Sequence, residues 1–312
     1  MEIGTNSLGE IAELSNIVQP DHVIITDVSI GHLEGLKSLD NIVEEKASIC
    51  SGQRQKGLAI IPSGIEKFSQ LKAKVRNFGS DVISFGDNES SDVRISTTEV
   101  LGNAITSTIV DQKQKSWNVN LKTAGKHYMK NAAALLALVF SLKLNPSKAI
   151  FALESWSPLA GRGQVLEIEV KHSNNKISIH LIDESYNANP GSVKSSLDTL
   201  ASIYSYRKSK YKYNRRIAVL GDMLELGFFE VEEHVNISRF ARLDKIDKIY
   251  CVGSRMRKLY DVLPSLKQGF WTETAEEMQH ILVNKLKDGD IVMIKGSFSI
   301  GMNTIVNKLK NT

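Results

Sequence analysis

The sequence has 312 residues, 42% of them apolar and 24% charged. That is the balance of a core-forming protein long enough for two ordinary domains. Lys and Arg exceed Asp and Glu by only four, too little for a nucleic-acid binder. The single basic cluster, Arg207–Arg216, reads as a solvated loop between a helix and a strand. Two distant cysteines, Cys50 and Cys251, exclude a disulfide framework and a cysteine metal cluster, and fit a reducing cytoplasm. No apolar run approaches the roughly 18 residues of a membrane span, and no signal pattern opens the chain, so a cytoplasmic protein is expected.

In chain order, Met1–Gly4 reads as the tail of a strand running into a turn, with its pairing partners elsewhere. A short helix, a strand at His22–Thr26 and a helix from Leu39 to Cys50 follow. The alternation continues with a strand at Gly57–Ile61, a helix at Ile65–Arg76 and a strand at Asp81–Phe85. Val93–Leu121 is β-rich with polar turns. The Ala- and Leu-rich run His127–Leu142 predicts a buried helix. Asn145-Pro146 ends it and starts another that closes near Glu154. Ser157–Gly163, with one proline and two glycines, is the best domain boundary.

Beyond it, Gln164–Val170 and Lys176–Asp183 predict a hairpin turned at Ser173–Asn175. Strands at Ile217–Leu220, Lys248–Val252, Gly269–Trp271 and Asp290–Ile294 then alternate with helices near Ser192–Tyr206, Glu230–Leu243, Arg255–Val262, Thr274–Lys287 and Ser299–Lys310. Short apolar strands between helices mean an α/β, doubly wound, mostly parallel sheet. Ligands bind such sheets at the carboxyl ends of the strands, and three of those ends are polar here. Asp183–Pro190 (DESYNANP) concentrates two acids, two amides beyond them, a hydroxyl and a phenol before a helix. Gly221–Gly227 (GDMLELG) places Asp222 and Glu225 after a strand. Lys295-Gly296-Ser297 precedes the last helix, a place that suits an anion. Taken singly each could be a solvated or capped turn; three on one sheet suggest a site. The first half offers Glu2, His32-Leu33-Glu34-Gly35, Lys46 on an otherwise apolar helix face, and Gly125-Lys126-His127 with Asn131 one turn on. Nothing fits zinc or a Ser/His/Asp triad. The loop GxxxxGK[ST], which cradles nucleotide phosphates, does not occur.

In this order the segments resemble the Mur ligases along the whole chain. Glu2–Asn6 with Gly9-Glu10-Ile11 is similar to the family's E-[IL]-G-x-N-x-x-G-E-I. His32–Gly35 and Glu45-Lys46 resemble its H-L-x-x-F and K segments. Gly221–Gly227 resembles G-D-M-x-E-L-G, His234 fits a histidine that follows, and Lys295–Ser297 resembles K-G-S. Asp183–Pro190 resembles D-D-S-Y-N-A-N-P, the mark of the branch whose substrates are UDP-N-acetylmuramoyl-tripeptide and D-alanyl-D-alanine. A sister ligase acting on folate or another amino acid is disfavoured by it. The resemblance implies residues 1–158 as the C-terminal part of a central ATP-binding domain, and 159–312 as a C-terminal Rossmann-like domain. It implies ATP and Mg²⁺ as cofactors and ligation through an acyl phosphate, for peptidoglycan precursor synthesis.

Carried over residue by residue, the resemblance implies Glu2, His32 and Lys46 at the metal, with Lys46 carbamylated. It puts Lys46, His32, Arg162 and Glu184 in the catalytic set. It implies Asn131, Arg162, Tyr186, Asn187 and Asn189 on the nucleotide side, and Ser185, Asn189, Asp222, Glu225, Lys295 and Ser297 toward the substrate. The sequence departs from the family at Tyr128 (for asparagine), Glu184 (for aspartate) and Phe298 (for polar or basic residues). The family's sugar-binding domain and phosphate loop are not matched in these residues. The expectation is therefore a ligase that is incomplete by itself, with a separate polypeptide carrying the phosphate loop as a candidate partner. The alternative is a non-catalytic remnant or a nucleotide- or dipeptide-binding module.

Overall fold

The computed structural model describes residues 1–29, 33–54, 57–101, 103–172, 175–203 and 215–312. Its helices and strands are α1 (Glu10–Val18), β1 (His22–Ile24), α2 (Leu33–Leu36), α3 (Leu39–Ala47), β2 (Leu58–Pro62), α4 (Phe68–Asn77), β3 (Asp81–Gly86), β4 (Val93–Leu101), β5 (Ala104–Val110), β6 (Ser116–Leu121), α5 (Lys126–Ser141) and α6 (Pro146–Ser155). They continue with β7 (Gln164–His172), β8 (Asn175–Glu184), α7 (Pro190–Ser202), β9 (Arg216–Gly221), α8 (Glu230–Asn236), β10 (Lys248–Val252), α9 (Met256–Val262), β11 (Gln268–Thr272), α10 (Ala275–Val283), β12 (Ile291–Lys295) and α11 (Met302–Lys310). The chain forms two compact units. One comprises Met1–Glu99, Ile105–Lys122 and Lys126–Trp156; the other comprises Ser157–Thr312 with Val100–Ala104 and Thr123–Gly125. Among the described residues no helix is long and apolar enough to cross a membrane.

The first unit is built on a six-stranded sheet in the order β1-β2-β3-β4-β5-β6. Strands β1 to β4 pair in parallel and β5 pairs antiparallel with β6. Ala59 and Ile61 of β2 point to one face, where they meet Ile42, Val43 and Ala47 of α3 and Leu71 and Val75 of α4. Helix α5 packs on β2 and β3 with a run of buried alanines, small enough to bring the helix close to the sheet. The side chain of Asn145 caps α6 and Pro146 takes its first turn, as expected from sequence. Met1–Gly4, expected as a strand tail, forms no strand, and Glu2 is exposed. Alternation over so few residues cannot separate a strand end from an extended lead-in to a helix.

The second unit carries a six-stranded sheet in the order β11-β10-β9-β12-β8-β7, parallel except for the edge strand β7, which forms a hairpin with β8. Period-two alternation feeds two cores. Ile217 and Val219 face α10 and α11, while Ala218 and Leu220 face α7 and α9. This is the doubly wound sheet expected from the βα rhythm. The expected helix Glu230–Leu243 is a correction: α8 stops at Asn236, and short 3₁₀ turns at Ile237–Arg239 and Leu243–Lys245 follow. The Ser238 hydroxyl bonds back to the Val235 carbonyl, a local competitor with helix continuation. The basic cluster Arg207–Arg216 lies mostly outside the described residues. Of its end, Arg215 is no solvated charge: its guanidinium makes two hydrogen bonds, 2.9 and 2.6 Å, to the buried Asp290 carboxylate.

Candidate functional site

In the second unit β8, β12 and β9 are neighbours, so their polar carboxyl ends lie side by side. Lys295, at the end of β12, is 3% exposed. Its ammonium donates to the Asn187 carbonyl at 2.9 Å and reaches the Glu184 carboxylate at 3.5 Å. Burial pulls the lysine's pKa below its ordinary value, and the Glu184 charge opposes that fall. Ser297 joins the other two strand ends. Its hydroxyl accepts from the Leu224 amide at 2.9 Å and donates to the Ala188 carbonyl at 3.4 Å, and its own amide donates to the Asp222 carbonyl. Gly221 and Gly296 stand back to back beneath Met302. A Cβ on Gly296 would come within 2.5 Å of the Met302 side chain and 3.0 Å of Gly221 Cα. The glycines of both motifs are thus required by close approach.

Several expected ligand groups are engaged within the fold. The Asp222 carboxylate is buried and accepts from the backbone amides of Arg255 and Met256 at 3.2 and 2.7 Å, closing the start of α9, with the Arg255 guanidinium 3.8 Å away. Arg255 in turn bonds Glu230 at 2.5 Å. His234 is fully buried, and its Nε2 accepts from the Met223 amide at 3.0 Å. The proton therefore sits on Nδ1 and is donated to the Glu230 carbonyl. Burial holds this imidazole's pKa below its ordinary value. Asn189 caps α7 in a reciprocal pair with Ser192. Glu225 is exposed, with a left-handed backbone at φ 63°.

Asp183 organises the loop entering this unit. Its buried carboxylate accepts from the Gly161 amide, the Ser185 amide and the Ser185 hydroxyl at 3.0, 3.2 and 2.6 Å. Ser185 is thereby buried, and Asn187, exposed, turns its side-chain oxygen to the Ala188 amide. Tyr186 is about half exposed, with the Arg162 guanidinium 3.9 Å above its ring centroid and the Phe298 ring 6.0 Å away, tilted by 57°.

In the first unit, Lys46 sits half-buried on α3 among buried Ile42, Val43, Glu45 and Ala47. Among the described residues no hydrogen bond or ion pair reaches its ammonium, and burial lowers its pKa, with Asp27 acting the other way. Glu44 pairs with Lys74. Glu45 is 2% exposed and accepts from the Gly9 and Ile11 amides at 2.6 and 2.8 Å and from the Thr5 hydroxyl at 3.1 Å. It caps α1 from another helix, because Gly9 at the cap position has no side chain to do so. Sequence reading missed this role; the signal available was a carboxylate on the apolar phase of α3. Glu2 is exposed, and His32 lies outside the described residues. Asn131 is exposed on α5, one turn beyond a tilted ring stack of His127, Tyr128 and Trp156 at 4.0 and 4.9 Å. Among the described residues no group of three or more His, Cys, Asp or Glu could hold a metal ion. An exposed carboxylate, an imidazole and a lysine carbamate would nevertheless form a mainly oxygen donor set of the kind Mg²⁺ accepts.

Residues 1–139 match the family of the Mur ligase middle domain, and residues 168–298 that of the Mur ligase, glutamate ligase domain. The chain is 28% identical to a UDP-N-acetylmuramoyl-tripeptide–D-alanyl-D-alanine ligase of Buchnera aphidicola, over 99% of this chain and 64% of the relative. The corresponding ligase of Escherichia coli is 26% identical over 99% of this chain and 64% of its own length. The crystal structure of MurF from Acinetobacter baumannii superposes with a TM-score of 0.83 at 25% identity, covering 100% of this chain and 64% of that one. The chain thus spans a little under two thirds of the length of these relatives.

Proposed function

From the premise that this chain belongs to the Mur ligase family, we propose that it serves the ATP-dependent joining of D-alanyl-D-alanine to UDP-N-acetylmuramoyl-tripeptide in peptidoglycan precursor synthesis. The observation that carries this reading is the linkage of the DESYNANP, GDMLELG and KGS segments through Lys295 and Ser297 at three adjacent strand ends. The first of these segments is the one that resembles this branch of the family in particular, and the other two resemble the family as a whole. Together they form one polar cluster at the strand ends where an open α/β sheet receives its ligand. The names of the relatives support the same substrates.

A carboxylate is a poor acyl donor. In the proposed reaction ATP passes its γ-phosphoryl group to the tripeptide's terminal carboxylate, releasing ADP. The neutral amine of D-alanyl-D-alanine then attacks the carbonyl carbon; a C–N bond forms, the C–O bond to phosphate breaks, and the amine's surplus proton leaves. Mg²⁺, when bound, neutralises phosphate charge. On this reading Glu2, His32 and carbamylated Lys46 hold the metal. Asn131, Arg162 and Tyr186–Asn189 serve the nucleotide. Glu184, Ser185, Glu225, Lys295 and Ser297 shape the dipeptide side. Asp222 and Asn189 act through the backbone they hold. The domain assignment proposed is 1–158 for the central domain and 159–312 for the C-terminal one.

Because GxxxxGK[ST] does not occur among these residues, the assay supplies a polypeptide bearing that loop. The chain is mixed with it, ATP, Mg²⁺, the UDP-tripeptide and D-alanyl-D-alanine. Phosphate release that depends on the dipeptide, with formation of the pentapeptide, is expected. Binding of nucleotide or dipeptide without either product would favour the binding-module alternative.

A further inference from the structure

Tyr186 is about half exposed and has the Arg162 guanidinium carbon over its ring, 3.9 Å from the centroid. The backbone beneath the pair is clamped. The Gly161 amide donates to the Asp183 carboxylate, the Gly163 amide to the Asp183 carbonyl, and the Tyr186 amide to the Gly161 carbonyl at 3.0, 2.7 and 3.0 Å. Gly161 holds φ at +77°, and a Cβ there would lie 3.2 Å from Tyr186, so the loop bearing Arg162 is pressed against the segment bearing Tyr186. With the backbone fixed, the remaining freedom of Arg162 is in its long side chain. The Tyr186 ring restricts it, and Phe298 adjoins that ring. A guanidinium carries five N–H donors in a fixed plane and can bind a phosphate through two of them.

We propose that Tyr186, supported by Phe298, is a positioning residue that holds the Arg162 guanidinium ready for the phosphate chain of a nucleotide. This rests on the reading of Arg162 as a nucleotide-side residue, and deepens it by assigning the aromatic pair a task. The phenol oxygen is not needed; the ring is. Phe298, a departure from the family's usual polar residues, belongs to the same device.

The test is titration of the ¹⁵N-labelled 312-residue chain with tripolyphosphate, following the Arg162 Nε–H resonance, with D-alanyl-D-alanine as a carboxylate control. Tyr186→Leu is expected to weaken tripolyphosphate binding about two- to fivefold, the factor carried by an exposed cation–π contact. Tyr186→Phe should restore wild-type affinity, and Phe298→Ala should lower it in the same direction as Tyr186→Leu. In the Arg162→Ala background, Tyr186→Leu should have no further effect. If Arg162→Ala leaves binding unchanged, or the dipeptide rather than tripolyphosphate responds to Tyr186→Leu, the nucleotide reading of Arg162 fails and takes the proposal with it. If Arg162→Ala weakens binding while Tyr186→Leu does not, or Tyr186→Leu acts equally without Arg162, the positioning role alone is overturned.

Discussion

Removing the Glu45 carboxylate tests whether one side chain of α3 caps the start of α1. Glu45→Ala leaves the Ile11 amide, which is buried, without its 2.8 Å acceptor, and the Gly9 amide without its 2.6 Å acceptor. A buried donor left unsatisfied costs about 1–3 kcal/mol, and Gly9, being exposed, can turn to water for less. Loss of an anion at a helix N-terminus adds about 0.3–1 kcal/mol. The sum is roughly 1–4 kcal/mol, drawn from the first unit. Glu45→Gln keeps one carbonyl oxygen but turns an amide nitrogen toward a donor, so it should cost about half as much. Chemical denaturation of the chain, with amide exchange followed over residues 10–18, reads both. Exchange in α1 should accelerate in the order wild type, Gln, Ala. Protection of α1 that is unchanged in Glu45→Ala would refute the reasoning, because the cap would then be supplied by something other than Glu45.

Four further outcomes are expected. Lys295→Ala, which strands the buried Glu184 carboxylate, should cost about 3–5 kcal/mol, and the paired change Lys295→Met with Glu184→Gln should recover much of it in thermal melts. His234 is held neutral, with a folded pKa below its unfolded one; its stabilising contribution is therefore complete above about pH 6.5 and lost as pH falls below that value. Melting temperature should drop more steeply across that window in wild type than in His234→Gln. Limited proteolysis should cut in the exposed Leu159–Ala160 stretch and leave a C-terminal fragment, with longer survival of a first-unit fragment counting against an autonomous second domain. Labelled bicarbonate should produce a ¹³C carbamate signal, stronger at higher pH, that Lys46→Arg abolishes.

The parts of the fold legible in the sequence are those set by periodicity. Ile217–Leu220 alternates between two cores, and the Ala-rich α5 advertises a close-packed helix. Polar strand ends could be found because the rule about ligand position in α/β sheets needs only strand order along the chain. What side chains hold across long separations could not. Glu45 reaches amides 34 and 36 residues earlier, and Arg215 meets Asp290 75 residues later. Neither pairing leaves a local pattern. Asp222 shows the converse difficulty: a carboxylate after a strand looks the same in sequence whether it meets a ligand or closes the next helix.

Lys46 gains its chemical character from where its neighbours' charges go. Successive residues on a helix point about 100° apart, so Glu44, Glu45 and Lys46 serve three different surroundings despite their adjacency. Glu44 is spent on Lys74, and Glu45 on three donors around α1. Neither compensates the half-buried ammonium, and the field of Asp27 does not offset its desolvation. The amine therefore loses its proton more readily than an ordinary lysine, and the unprotonated form is the one that attacks CO₂. The product carries a negative charge where the ammonium carried a positive one. The same packing that makes a buried lysine awkward as a cation thus makes its neutral amine available for carbamylation, while the resulting anion, which burial disfavours as well, would draw its stabilisation from the Mg²⁺ of the proposed chemistry.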